Sequence, residues 1–498
     1  MIRQLSTRDV GPARKLDFEF APRLNILTGD NGLGKTFILD VLWWVLTSTW
    51  AGEKAFPWRS PQQGSESVPV LEPLIGCQFG SRDGEGDRGA TLETQGIWSH
   101  EGQEWKWKRT PTLHRLPGSG PMMHPGQFVS MDFRFSGVVL YARLDGVYAI
   151  WEPYLPPSFS SASMSSATIL TSEDLWNGRK VTDPESAGGK RTEIRGLIED
   201  WVTWQQSARS SEFVALERVL HALSSPDERL VPGQPTRVHL RDRRDIPTLA
   251  TSTSLVPVTL ASAGMRRVLS LAYLLVWAWT EHTRIAQAAQ RPTTKDMVVL
   301  LDEPELHLHP SWQRTILPAL LEAVAAIAPD VQVQIFATTH SPLVLASVES
   351  VFSEKHDNLI VLERDGKAIR VNAHEFGKEG DVSNWLSSEV FGAVGGRSRE
   401  AQLATDAARH FMAERDDEAE FKLTELYECL RALPEALSEK ATSSSLPGIV
   451  SEPGYHKLPL LERVHQALKF VLPGHDEFWA HWSLVYRSDQ KARRGKVR

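Results

Sequence analysis

The sequence predicts an α/β fold, and three stretches carry that prediction. Residues 24–28, LNILT, are a short apolar run of strand length that leads through a glycine-rich turn into FILDVLWWVL, an apolar run of helical length. The run VVLL at 298–301 and the run VQVQIFATTH at 331–340 are further strand patterns, each ending in polar residues. Polar groups at the ends of buried strands mark the sheet edge where α/β folds carry their chemistry.

The composition is that of a soluble globular chain. Of its 498 residues, 41% are hydrophobic and 23% are charged, and this length predicts two or three packed units. The longest apolar run, residues 268–279, has 12 residues and is shorter than the ~20 that span a bilayer. The first ten residues, MIRQLSTRDV, contain no apolar leader. We therefore expect a cytoplasmic protein with no membrane contact.

Charge and cysteine content narrow the function classes further. The net charge of −7 provides no overall basic field for nucleic acid, so a contact with DNA would have to come from a local patch. Cys77 and Cys429 lie far apart and form no CxxC pair. This excludes a cysteine zinc site or a disulfide framework and suits a reducing compartment.

The glycine-rich turn GDNGLGKT, residues 29–36, fits the pattern G-x-x-x-x-G-K-[ST] at every fixed position. Its glycines let successive backbone amides point at a polyphosphate, and the following helix adds the positive end of its dipole. A chance glycine-rich turn is the alternative, and the flanking strand and helix argue against it. The candidate ATP-binding residues are Gly29, Asp30, Asn31, Gly32, Gly34, Lys35 and Thr36, with Lys35 on the β- and γ-phosphates and Thr36 as a ligand of Mg²⁺.

Two more motifs follow strand patterns. VVLLDE ends in Asp302, which would hold Mg²⁺ through its water shell, and Glu303, which would polarise an attacking water. ATTHSP, residues 337–342, contains His340, which can reach a γ-phosphate beside the phosphate loop. The alternative for His340 is a loop histidine that caps the next helix. Together with the phosphate loop, these residues predict a catalytic set of Lys35, Glu303 and His340.

A fourth motif, LASAGMRRVLSLAYLL at 260–275, places small residues immediately before a strongly apolar helix. Ser262 and Gly264 would expose a hydroxyl and backbone amides at a helix N-terminus, which is an anion-binding arrangement. A helix cap that serves packing alone is the alternative.

In their order along the chain, the four motifs resemble the ABC-type ATPase heads of the soluble RecF/SMC/OLD class, over about residues 1–50 and 255–350. The resemblance implies a homodimer of heads, or a higher oligomer, in which Ser262 and Gly264 of one protomer contact the γ-phosphate of ATP held by the other. Ala263 and Met265 stand where the family usually has Gly and Gln. The stretch ELHLHPSWQ after Glu303 resembles the OLD-like branch.

The gap between the phosphate loop and Asp302 requires inserted segments, and no heptad run predicts the coiled coil of chromosome-bridging proteins. Helical spacing is predicted for Ile194–Trp201 and Phe213–Leu223, a strand for RVHLRD at 237–242, and a hairpin around Asp365-Gly366. The expected segments are 1–50, the first part of the head with the phosphate loop; 51–190, an inserted β-rich lobe; 191–254, an inserted helical segment; 255–375, the second part of the head; and 376–498, a helical partner-binding region.

The C-terminal third contains no recognisable nuclease. RDDEAEF at 415–421 is the nearest approach to a metal-binding acid cluster, and its helical surroundings favour a solvated helix face. GDVSNWLSSEVFG, GGRSREAQLA and VLPGHDEFWAHW resemble the tails of the PtuA-type ATPase subunits of Septu and retron anti-phage systems, which pair with a separate HNH-type nuclease. The last 12 residues hold six basic side chains and one acid, which predicts a DNA or partner contact or a solubilising tail.

The function hypothesis that follows is an ATP-hydrolysing subunit that controls a partner nuclease in phage defence. The alternatives are a RecF-like repair ATPase that acts on DNA and a nucleotide-gated scaffold with little hydrolysis. Repair predicts stimulation of hydrolysis by DNA alone, and a scaffold predicts tight ATP binding with almost no turnover.

Overall fold

A computed structural model of the chain describes residues 1–56, 73–80, 90–99, 104–113, 135–155, 167–183, 189–208, 210–251, 254–366, 368–388, 390–391, 398–431, 457–472 and 477–495. The chain forms two compact units, residues 1–385 and 386–498. Most of the serine-rich stretch at 158–168 and all of the linker at 438–454 lie outside the described residues.

The strands that the structure describes belong to the first unit. They are β1 (Ile2–Val10), β2 (Ala13–Glu19), β3 (Leu24–Gly29), β4 (Leu74–Phe79), β5 (Ala90–Ser99), β6 (Glu104–Leu113), β7 (Val138–Ala142), β8 (Tyr148–Trp151), β9 (Ala167–Leu170), β10 (Arg179–Thr182), β11 (Lys190–Ile194), β12 (Val231–Thr236), β13 (Ile246–Ala250), β14 (Leu255–Pro257), β15 (Asp296–Asp302), β16 (Gln332–Thr338), β17 (Asp357–Asp365) and β18 (Ala368–His374).

The α-helices are α1 (Lys35–Thr47), α2 (Ser172–Asn177), α3 (Leu197–Gln206), α4 (Ser211–Ala222), α5 (Ala263–Ala288), α6 (Pro310–Gln313), α7 (Ile316–Ile327), α8 (Pro342–Val348), α9 (Val382–Ser387), α10 (Arg399–Met412), α11 (Asp416–Arg431), α12 (Leu460–Val471) and α13 (Glu477–Gly495). The mixture of strands and helices confirms the predicted α/β class.

The main sheet has eight strands in the order β18-β17-β3-β16-β15-β7-β8-β9. Its central strands, from β17 to β7, are parallel, and β15 and β16 are apolar and buried along most of their length, as expected for a sheet covered on both faces. The register pairs Thr338 with both Leu27 and Asp302, so the carboxyl ends of β3, β16 and β15 lie side by side. The phosphate loop, the paired acids and the histidine therefore meet at one edge.

The span predicted as a single β-rich insertion, residues 51–190, is divided between several sheets. Strands β4, β5 and β6 extend the N-terminal hairpin into a five-stranded antiparallel sheet of order β2-β1-β4-β5-β6. By contrast, β7 pairs in parallel with β15, and β8 and β9 follow it to form the edge of the main sheet. The sequence VVLYA of β7 is buried at every position, which is the signature of an internal strand.

Two sequence-based predictions for the region before residue 260 are corrected by the structure. The stretch RVHLRD is not a strand; the strand is β12, VPGQPT, which ends just before it. Leu240 in RVHLRD is 98% exposed, and with arginines around it the segment has no apolar face to bury. Ile194 lies at the end of strand β11 rather than on the helix, which begins at Leu197. The predicted helix at 213–223 and the hairpin of β17 and β18 are confirmed.

The described part of the second unit is helical, as predicted. Small residues of α10 allow close helix packing, and the core formed with α11, α12 and α13 includes Ala404, Ala407, Ala408, Leu423, Leu426, Val464, Leu468 and Trp482. RDDEAEF supplies the acidic first turn of α11, where carboxylates interact favourably with the helix dipole. The basic C-terminal stretch continues α13 as far as Gly495.

Candidate functional site

The phosphate loop joins β3 to α1 through three glycines with positive φ: 128° at Gly29, 77° at Gly32 and 91° at Gly34. A β-carbon at Gly29 would lie 2.1 Å from the Leu362 carbonyl oxygen, and one at Gly34 would lie 2.5 Å from Cγ of Pro12. At Gly32 a β-carbon would meet nothing within 4 Å. Gly29 and Gly34 thus permit close packing of the loop, while Gly32 lies on its open, exposed side with Asp30 and Asn31.

Lys35 occupies the first turn of α1 with its ammonium turned back into the loop. Its Nζ donates to the carbonyl oxygens of Gly29 at 2.8 Å and Asp30 at 2.9 Å. Burial lowers the pKa of Lys35 to about 8, against the opposing effect of Glu303, Asp30 and other carboxylates. The site therefore surrounds a partly desolvated cation with acids, and the loop carbonyls are its hydrogen-bond acceptors.

Asp302, at the end of β15, is only 1% exposed and links the strand to the phosphate loop. Its Oδ1 accepts hydrogen bonds from Thr36 Oγ1 at 3.1 Å and from Thr338 Oγ1 at 2.7 Å. Its Oδ2 is buried and has no hydrogen-bond partner among the residues that the structure describes. An unpartnered carboxylate oxygen beside a threonine hydroxyl is the oxygen donor set that Mg²⁺ prefers, so these residues fit the predicted metal.

Glu303 and His340 lie next to each other beyond the strand ends. Glu303 Oε1 is 3.5 Å from His340 Nε2, and both side chains keep partial access to solvent. Burial, followed by the charge of Lys35, lowers the pKa of His340 below its ordinary value of 6.5. The imidazole is therefore neutral at pH 7, and Glu303 faces an uncharged ring rather than an imidazolium.

The backbone of Glu303 is in the left-handed region, with φ of 45°. Such a conformation is uncommon for a residue other than glycine. Its N–H donates to Thr338 Oγ1 at 3.0 Å, so the threonine that contacts Asp302 also fixes the peptide before Glu303.

Glu305 and Arg267 also belong to the site, and sequence reasoning missed both. Glu305 Oε1 accepts from Thr339 Oγ1 at 2.5 Å and from the His340 N–H at 3.0 Å, which ties the histidine loop to the turn after β15. Burial raises the pKa of Glu305. Arg267 Nη2 donates to the carbonyl oxygens of Asp302 and Glu303. The second glutamate of DEPE was a visible sequence signal for Glu305. For Arg267 the sequence offers no signal, because GMRR contains two arginines and nothing distinguishes them.

Ser262 and Gly264 lie at the N-terminus of α5. Ser262 is exposed and its Oγ accepts from the Met265 N–H at 3.2 Å, so it caps the helix. A β-carbon on Gly264 would lie 2.6 Å from the His307 carbonyl oxygen, so this glycine lets α5 pack against the segment after Glu303. Among the described residues, no hydrogen bond or ion pair joins Ser262 or Gly264 to the phosphate loop. The structure brings the other predicted residues together and leaves these two apart.

A buried ion pair supports α1 from behind. Arg143, which follows β7, pairs with Asp40 of α1, and the Tyr141 hydroxyl donates to the same carboxylate at 3.0 Å. Burial raises the pKa of Asp40 to about 6, with Arg143 and Tyr141 opposing that shift. Asp40 lies one helical turn after Thr36, so this network connects the phosphate-loop helix to the strand next to β15.

Two family models match the chain, and together they contain every motif of the site. The model described as "AAA domain" matches residues 4–63, which include the phosphate loop. The model described as "AAA domain, putative AbiEii toxin, Type IV TA system" matches residues 208–346, which include Ser262, Asp302 and His340.

Two curated relatives are described as probable ATPases of retrons. The chain is 34% identical over 94 residues to "Retron Ec83 probable ATPase" of Escherichia coli and 38% identical over 81 residues to "Retron Vc95 probable ATPase" of Vibrio cholerae serotype O1 biovar El Tor. These stretches are 19% and 16% of this chain, and each covers 14% of the relative. The likeness therefore concerns a small part of each protein.

Among solved structures, the SMC head domain from Thermotoga maritima aligns with 75% of this chain and 99% of its own, at 14% identity and a TM-score of 0.35. An SMC head bound to the C-winged helix domain of ScpA aligns with 76% and 98%, at 12% identity and a TM-score of 0.38. The two AAA-domain models and the two retron relatives confirm the predicted resemblance at the level of an ATPase similar to those of retrons.

Proposed function

We propose that this chain binds ATP with Mg²⁺ and hydrolyses it to ADP and phosphate. The observation that carries the proposal is the meeting of Lys35, Asp302 and Glu303 at one sheet edge, with a free, buried carboxylate oxygen on Asp302. A buried carboxylate oxygen without a hydrogen-bond partner is costly unless a cation lies against it.

Each residue has a chemical task in this reaction. The loop amides and the Lys35 ammonium, which now donates to two loop carbonyls, would donate to the phosphate oxygens. Thr36 and Asp302 would hold Mg²⁺, which supplies charge neutralisation at the phosphates when it is bound. Glu303 would accept a proton from the attacking water. His340, beside Glu303, would contact the γ-phosphate.

The test is the E303Q variant of the full chain. We expect it to bind ATP as the wild-type chain does and to lose at least about 100-fold in phosphate release, because a general base contributes about that much or more. Glu322, exposed on α7, provides the matched control, and E322Q should retain full turnover. Normal phosphate release by E303Q would contradict the assignment of Glu303 as the base.

At the level of the cell, we infer an anti-phage role in which the ATPase controls a separate nuclease of HNH type. The retron relatives and the toxin–antitoxin description of one family model support this context. The helical region 376–498 is the proposed binding region for the nuclease, because its tail motifs resemble those of ATPases that work with such a partner.

Gentle purification of the tagged chain from its native host tests this role. We expect an HNH-type nuclease to co-elute in a fixed ratio. A chain that elutes without a nuclease, and whose ATP hydrolysis rises with DNA alone, would favour the RecF-like alternative. Tight ATP binding with almost no turnover, with or without a nuclease, would favour the scaffold.

A further inference from the structure

Arg267 makes an unusual set of contacts for an arginine beside a cluster of acids. Its Nη2 donates to two backbone carbonyls, that of Asp302 at 2.9 Å and that of Glu303 at 3.2 Å. Within the described residues it forms no ion pair with a carboxylate, and its Nε is buried without a hydrogen-bond partner. The guanidinium is therefore used on the peptide backbone and not on the nearby side-chain charges.

Those two carbonyls belong to the most constrained backbone of the site. Glu303 has a φ of 45°, a conformation that persists only where surrounding contacts enforce it. Thr338 holds the N–H of Glu303 from one side, and on the other side its carbonyl accepts from the Leu306 N–H at 3.0 Å and from Arg267. Glu303 is thus fixed at both of its peptide groups, and this fixes the direction in which its carboxylate leaves the backbone.

The direction matters because the neighbour of the carboxylate is fixed separately. His340 is held by its N–H donating to Glu305, so the 3.5 Å approach of its Nε2 to Glu303 depends on the backbone of Glu303 staying in place. Without Arg267 the Asp302 carbonyl would lose this donor and the Glu303 carbonyl would keep the Leu306 N–H, so residue 303 would be held less firmly and its side chain could turn away. Small displacements of a reacting group lower rates steeply.

We propose that Arg267 is a positioning residue that holds the Asp302–Glu303 backbone so that Glu303 faces the attacking water. The inference rests on the proposed ATPase function, and it names a residue of α5 that acts on the reaction only through Glu303. Lysine at this position would keep a charged donor on a shorter side chain without the planar guanidinium, whereas methionine would keep the aliphatic stem and lose the donors.

The experiment compares R267M and R267K with R284M in the full chain. Arg284 lies on the same helix but pairs with Glu281 and Glu212, away from β15. For R267M we expect kcat to fall about tenfold or more while the Kd for ATP changes by no more than about twofold, with R267K between R267M and the wild-type chain. R284M should leave both constants unchanged.

A double-variant cycle separates positioning from a general structural role. If Arg267 acts through Glu303, R267M should cause no further loss of kcat in the E303Q background. Additive losses, or a wild-type kcat in R267M, would overturn the inference; if R267M does not fold, R267K and its E303Q double variant decide by the same criteria. A wild-type chain that binds ATP without turnover would instead overturn the proposed ATPase, and with it the reaction that Arg267 serves.

Discussion

At the scale of single residues, the protonation state of His340 decides what Glu303 can do. Burial and the nearby Lys35 lower the pKa of the imidazole, so it is neutral at pH 7. As the pH falls through that lowered pKa, His340 gains a charge and becomes an ion-pair partner for the Glu303 carboxylate 3.5 Å away. An ion-paired carboxylate is a weaker base, so acidification should slow the reaction.

We therefore expect kcat of the wild-type chain to decline on the acid side of pH 6.5, the ordinary pKa of histidine. The H340Q variant should be slower at neutral pH but should lack the part of this decline that comes from the imidazole. The measurement is steady-state phosphate release between about pH 5 and 8 for both proteins, with ATP saturating at each pH. Two profiles of the same shape would show that His340 does not govern the acid limb.

The same scale shows why part of the site was readable from sequence. Lys35, Asp302 and Glu303 follow fixed spacings around strands, and the phosphate loop requires glycine where φ is positive, as at Gly34. Arg267 is different because its role arises from a contact across 35 positions of sequence, between α5 and the end of β15. No local pattern encodes such a contact, since any arginine near a helix start looks the same in the sequence.

At the scale of elements, the strands that are buried on both faces of the sheet were the ones that the sequence predicted best. β3 is buried at five of its six positions and β15 at six of its seven, and both were predicted as strands next to the motifs they carry. β7 and β8 lie in the span that was predicted to be β-rich, but the hydrophobic pattern alone does not tell which sheet a strand joins. Parallel pairing of β7 with β15 is a long-range choice, and it placed these strands in the main sheet instead of an inserted lobe.

The position of α5 also follows from contacts between elements. Gly264 allows the helix to approach the His307 carbonyl, and Arg267 donates to the carbonyls of Asp302 and Glu303. The first two turns of α5 therefore pack against the end of β15 and the segment that follows it. The Ser262 cap was predicted correctly as a helix start, with the packing alternative and the anion-site alternative both open. The described contacts explain Gly264 by packing. Ser262 is exposed, and its hydroxyl oxygen is the helix cap.

At the scale of the whole molecule, the separation of Ser262 from the phosphate loop bears on assembly. No hydrogen bond or ion pair in the described part of the chain joins the two. The resemblance to ABC-type heads instead assigns Ser262 to the γ-phosphate held by a second copy. No helix among the described residues is long and apolar enough to cross a bilayer. We propose that ATP brings two heads together, each closing the site of the other.

We expect the E303Q chain, which should bind ATP without consuming it, to change from 55.7 kDa to twice that mass when ATP and Mg²⁺ are added. Ala263, exposed next to Ser262 and without a hydrogen-bonding side chain, is the place to block closure: E303Q/A263R should bind ATP and remain at the mass of one chain. E303Q/A288R, with the same change at an exposed alanine at the other end of α5, should still dimerise. Light scattering coupled to size-exclusion chromatography measures the masses, and a labelled ATP confirms binding in each variant. Dimers of equal stability in the A263R and A288R variants would place the interface elsewhere, and an E303Q chain that stays single with ATP bound would contradict the head-to-head dimer.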